Sequence, residues 1–152
     1  MNGPSFRFRL ERVRAVRERK EDLAKQELAR SVSRLSSSRE QLRSAEAELE
    51  QAHAEQRDAA GSEGIVGGPE LQARQAFLEH VEQRRTTRQI DLEHSEAEVA
   101  DRNAALVKAA GEHEMLNRLK RRRRVEHDRE TARAESRALD EMAATRTGRS
   151  LA

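Results

Sequence analysis

Apolar positions in the first third of the chain recur at steps of three and four. They run Phe6, Leu10, Val13, Val16, then Leu23, Leu28, Val32, Leu35, Leu42 and Leu49. The steps 6, 10, 13 and 28, 32, 35 describe one stripe of a helix. Arg39 and Glu46 stand where further apolar residues are expected, so the register drifts along this helix. A second stretch repeats more cleanly. Leu71, Leu78, Leu92, Val99 and Leu106 share one heptad position, with Arg85 filling the gap, and Val81, Ala109 and Leu116 lie on the adjoining one. His113 and Lys120 continue the first series, so this seam turns polar toward 120. Val125, Ala132 and Leu139 restart a seven-residue series in another phase.

Between the two stretches lies Gly61-Ser62-Glu63-Gly64-Ile65-Val66-Gly67-Gly68-Pro69, and after it only Gly111 interrupts a run of helix formers. Ser5, before Phe6, suits an N-cap, and Pro69 suits a first helical position. The pattern predicts a single all-α domain over 1–152, a long antiparallel two-helix coiled-coil hairpin. Helix one is expected over about 5–60, a turn over 61–69, helix two over about 70–146, and a frayed tail at 147–152. At ~1.5 Å per residue the helices would span roughly 80 and 115 Å, so the second is longer. A turn near 65 sets residue i across from about 130 − i. Residues 125–145 then overhang without a partner helix, and are expected to dock on a partner or to fray.

Composition supports a narrow seam over a thick core. Apolar residues make up 35% of the 152-residue chain and charged residues 38%, and Trp, Tyr and Cys are missing. Disorder is opposed by the scarcity of proline and by the regular apolar spacing. No apolar run approaches a membrane span, and the first residues lack the apolar stretch of a secretory signal. A cytoplasmic location is expected, with any attachment to the membrane made through a partner.

Net charge is only +2, but its placement is uneven. Residues 7–20 carry Arg7, Arg9, Arg12, Arg14, Arg17, Arg19 and Lys20 against Glu11 and Glu18; residues 118–124 read Arg-Leu-Lys-Arg-Arg-Arg-Arg. The hairpin register sets these blocks opposite each other, with Arg12 near Arg118 and Phe6 near Arg124. The open end should be strongly positive, whereas Ala45–Ala60 is acidic. Concentrated like charge opposes folding, so an acidic partner surface is the functional reading and a solvated arginine-rich face the bland one.

Nothing points to catalysis, a metal or a cofactor. None of His53, His80, His94, His113 and His127 pairs at i,i+3 or i,i+4, and they read as exposed helix histidines. The glycine-rich break lacks the Gly-Lys-Ser/Thr ending of a phosphate loop. A two-helix hairpin offers no concave pocket for a small-molecule substrate. The rival function is a basic coiled coil binding nucleic acid by its phosphates, or a generic structural scaffold. Against nucleic acid stands the lack of Tyr and Trp for base stacking.

The opening Phe6-Arg-Phe-Arg-Leu10-Glu-Arg-Val13, with Arg17-Glu18 and Glu27-Leu28-Ala29, resembles the start of the flagellar export protein FliJ family. Gln41-Leu42, Phe77-Leu78 and the closing Leu139-Asp140-Glu141-Met142-Ala143 with Arg146 fit the same pattern, so the likeness runs over nearly the whole chain. It implies a non-enzymatic, central-stalk-like coiled coil of the bacterial flagellar type III protein export apparatus. Such a protein binds within the hexameric export ATPase and promotes its activity, contacts the cytoplasmic domain of the export gate, and binds export chaperones. The resemblance puts the ATPase at the open end, where the basic residues Arg7, Arg9, Arg12, Arg14, Arg118, Arg121, Arg122, Arg123 and Arg124 gather. It puts the gate nearer the turn, at Gln41, Phe77 and Val81. The family's aromatic positions on the first helix fall here on Glu48 and Ala52, a departure from its pattern.

Overall fold

The computed structural model describes residues 5–61, 64 and 67–150, with side chains through 146. Two helices, α1 (Glu11–Gly61) and α2 (Gly68–Ser150), pack against each other as an all-α hairpin, and no strand occurs among the described residues. Cross-helix pairs fix an antiparallel register: Glu11 meets Lys120, Arg17 meets Glu112, Ser38 meets Ser95 and Arg84 meets Glu48. Each of these sits close to the spacing set by a turn near 65.

The helix ends differ from expectation. α1 starts at Glu11 rather than near Ser5, so Ser5 is not its cap. Residues 5–10 instead form an irregular lead-in whose turn is closed by Glu11 N–H donating to the Phe8 carbonyl at 3.1 Å. Phe6 is half-buried there, 5.6 Å from the His127 ring edge-on, with the Arg124 guanidinium 5.5 Å above it. α2 begins at Gly68, and Glu70 and Leu71 both donate to the Gly67 carbonyl, leaving Pro69 where its missing N–H costs nothing. α2 runs on to Ser150, through most of the stretch expected to fray; 151–152, like 62–63 and 65–66 of the turn, lie outside the described residues.

The chain divides into two compact units, one of residues 23–107 and one that joins the residues up to Asp22 with those from Lys108. In the 23–107 unit, the α1 seam runs Leu28, Ser31, Leu35, Ser38, Leu42, Ala45, Leu49, Ala52, a strict three-four alternation. Large and small residues therefore take turns. Ser31, Leu35, Leu42, Ala45 and Ala52 are buried from α1, and Val81 from α2. The small rungs let the helix backbones approach, and Ser31 satisfies its hydroxyl on the Leu28 carbonyl at 2.8 Å. Arg39 and Glu46 are not gaps in this seam. They flank it and reach across to Glu96 and Arg85. Val32 and Leu23, expected on the stripe, are 48% and 58% exposed. On α2 the expected seam of Leu78, Val81, Arg85, Leu92, Val99 and Leu106 faces inward, while Leu71 is exposed.

The unit joining both termini is built differently. Its seam positions on α1 are Arg14, Arg17 and Glu21, and on α2 Glu112, His113, Asn117 and Lys120 interleaved with the half-buried Ala109 and Leu116. No described residue of this unit is fully buried. The apolar residues expected to pack here, Leu10, Val13 and Val16, stand one position off the seam, at 36%, 45% and 54% exposure. From 132 to 146 every residue is exposed, including Leu139 and Met142.

Candidate interaction surfaces

The unit of the two termini brings the basic blocks together, and its ion pairs sort their members. Arg14 is the most enclosed. It pairs with Glu11 at 2.8 Å and Glu18 at 3.5 Å, and reaches His113 Nε2 at 3.3 Å and Asn117 Oδ1 at 3.5 Å. Arginine only donates, so Nε2 of His113 accepts, and its Nδ1 carries the hydrogen directed to Glu21 Oε2 at 2.6 Å. Asn117 Nδ2 adds a second donor to Nε2 at 3.2 Å. His113 is thus no exposed helix histidine but the centre of a polar layer between the helices. Its signal was present in the sequence: stepping back by sevens from Leu28 lands on Glu21 and Arg14.

Arg118 and Arg121 share the Glu114 carboxylate at 3.1 and 2.8 Å, Arg123 pairs with Glu126 at 3.0 Å, and Arg124 with Asp128 at 3.5 Å. Hydrogen bonds from Arg118 and Arg121 hold Glu114 below the usual carboxylate range. Those from Arg14 and Lys120 do the same for Glu11, and Glu11 in turn raises Arg14. Arg7, Arg9, Arg12 and Arg122 are exposed and have no acidic partner among the described residues. Arg7 and Arg9 border a hollow of about 570 Å³ with Phe6, Phe8 and Leu119.

The residues assigned to the other end separate into accessible and buried. Phe77 is 56% exposed and lines a groove of about 400 Å³ floored by Ala52, Ala59 and Ala73. Gln41 is exposed, and its Oε1 accepts from Arg88 at 3.0 Å. Val81 is 2% exposed and belongs to the helix seam, so it supports this face without presenting itself on it. Glu48 is tied to Arg84 at 3.0 Å, and Ala52 is buried.

No group of three or more His, Cys, Asp or Glu side chains is arranged to hold a metal ion among the described residues. No described helix is long and apolar enough to cross a membrane. The described residues offer exposed cations at the joined termini and a shallow apolar groove beside Phe77. No match was found among curated proteins or among solved structures. The family model for the flagellar FliJ protein matches residues 6–152, and the family is a component of the flagellar export apparatus. With the match covering essentially its whole length, the chain belongs to the FliJ family.

Proposed function

We propose that this chain is a non-enzymatic adaptor of the flagellar type III export apparatus. It binds the hexameric export ATPase through the basic surface at its joined termini and promotes ATP hydrolysis there. It links the ATPase to the cytoplasmic domain of the export gate through the face around Phe77 and Gln41, and it binds export chaperones. It works in the cytoplasm, at the inner face of the membrane by way of these partners. The observation that carries this reading is the set Arg7, Arg9, Arg12 and Arg122: cations gathered in one unit that the chain's own carboxylates leave unneutralised among the described residues. Such cations suit an acidic partner surface, and arginine's planar fork suits carboxylates in particular.

The test is capture of the purified export ATPase, with hydrolysis measured alongside. Replacing Arg12 and Arg122 together by Glu should weaken capture about tenfold or more and remove the stimulation of hydrolysis. Capture and stimulation unchanged in that variant would refute the basic-surface reading. Phe77→Ala should leave ATPase capture intact while reducing binding to the gate domain.

A further inference from the structure

In the unit of the two termini, the apolar residues of α1 are not the ones that hold the hairpin. Arg14 and Arg17 occupy the seam, each tied to α2, while Val13 and Val16 lie beside it in the open. Packing within the chain therefore gives no reason for valines at these two positions. Their surroundings do. Val16 has Val13 and Arg19 three residues away and Arg12 and Lys20 four away, so all five side chains share one patch of helix surface. Arg12, Arg19 and Lys20 are exposed and have no acidic partner among the described residues. Of the nearby acids, Glu11 is held by Arg14 and Lys120, Glu18 by Arg14, and Glu21 by His113. The patch is thus a short apolar strip framed by cations that form no ion pair among the described residues.

We infer that this strip, Val13 and Val16 framed by Arg12, Arg19 and Lys20, is a docking site for an acidic amphipathic helix of a partner protein. Valines spaced by three residues fit between the apolar residues of a helix lying along α1, and its flanking Glu or Asp side chains meet the cations. Protein is favoured over a lipid surface because two valines offer too little apolar area for insertion, whereas helix pairing needs only a narrow strip. The site shares Arg12 with the proposed ATPase surface and goes beyond it through Val13, Val16, Arg19 and Lys20, which test it apart from that reading.

A three-heptad peptide with Leu at a and d and Glu at e and g serves as the probe, beside a peptide of the same composition in scrambled order. Titrated into the full chain and followed by fluorescence anisotropy, the patterned peptide should bind at least about tenfold tighter than the scrambled one. Val13→Asp with Val16→Asp should abolish that difference. Arg19→Glu with Lys20→Glu should weaken patterned binding by a similar factor while leaving ATPase capture unchanged. These positions are exposed, so helix content by circular dichroism should be retained. Equal binding of the two peptides would overturn the proposal, since charge alone would then explain it. So would tighter binding to phosphatidylglycerol vesicles than to the patterned peptide, or an unchanged affinity in the double valine variant.

Discussion

Leu42 and Gly111 show how differently single positions bear on this chain. Leu42 is 8% exposed, in a seam only one side chain wide, so its truncation cannot be absorbed by a surrounding core. Leu42→Ala should lower the unfolding free energy by about 2–4 kcal/mol, read from denaturant unfolding followed by circular dichroism. Gly111 lies inside α2, and a methyl group added there would meet no atom within 4 Å. Gly111→Ala should therefore stabilise the protein by about 0.5–1 kcal/mol, through the helix propensity alone. Carboxylates act at this scale too. Glu11, Glu98 and Glu114 are each held below the usual range, chiefly by hydrogen bonds from arginines. A depressed folded-state pKa means that the unfolded chain takes up protons first on acidification. The stabilisation from these groups is complete above the ordinary carboxylate range, near pH 4, and drains away as pH falls through the lower folded values. Thermal midpoints should hold steady from pH 7 to about 5 and drop below that, and 1 M salt should shrink the acid-sensitive part.

Between helices, the deciding contrast is what fills the seam. Residues 31–52 of α1 bury Leu and small side chains, whereas residues 11–21 offer Arg14, Arg17 and Glu21 to His113, Asn117 and Glu112. Amide hydrogen exchange should accordingly be faster at 11–21 than at 31–52. Raising the salt should speed the first segment and leave the second nearly unchanged, because screening weakens ion pairs but not apolar burial. Uniform exchange along α1 would argue against this division. The α2 seam from Leu78 to Leu106 was legible in the sequence because its apolar heptad is broken only at Arg85. On α1 the heptad of Leu28, Leu35, Leu42 and Leu49 was legible, but Val13, Val16, Leu23 and Val32 drew the stripe off its true line. Hydrophobicity marks where a side chain wants a partner, not whether that partner is in the same chain. Polar rungs such as Arg14 and Glu21 leave no trace in an apolar count; only their seven-residue spacing from Leu28 betrays them.

For the molecule as a whole, charge organisation carries more than net charge does. An excess of +2 spread evenly would be inert, yet both basic blocks fall in the unit of the two termini. Within that surplus the chain makes a further selection: Glu114 absorbs Arg118 and Arg121, while Arg12 and Arg122 stay exposed and unmatched among the described residues. The clusters are visible in the sequence as charge runs, but which arginines are committed and which available is not, since that depends on which rotamers reach a carboxylate. The residues assigned near the turn divided for a similar reason, Phe77 outward and Val81 into the seam.

The polar layer around His113 has a consequence for how the helices part. Separating Leu35 or Leu42 from α2 wets apolar surface, which raises the heat capacity and leaves a sticky intermediate. Separating Arg14, Glu21 and His113 exchanges hydrogen bonds to one another for hydrogen bonds to water, and the apolar surface wetted with them is limited to half-buried residues such as Leu116 and Phe6. Opening at these layers should therefore carry a smaller heat-capacity change per residue than opening at Leu35 and Leu42. The helices at the joined termini should part and re-form in water more readily than the rest, as a zipper with wettable teeth.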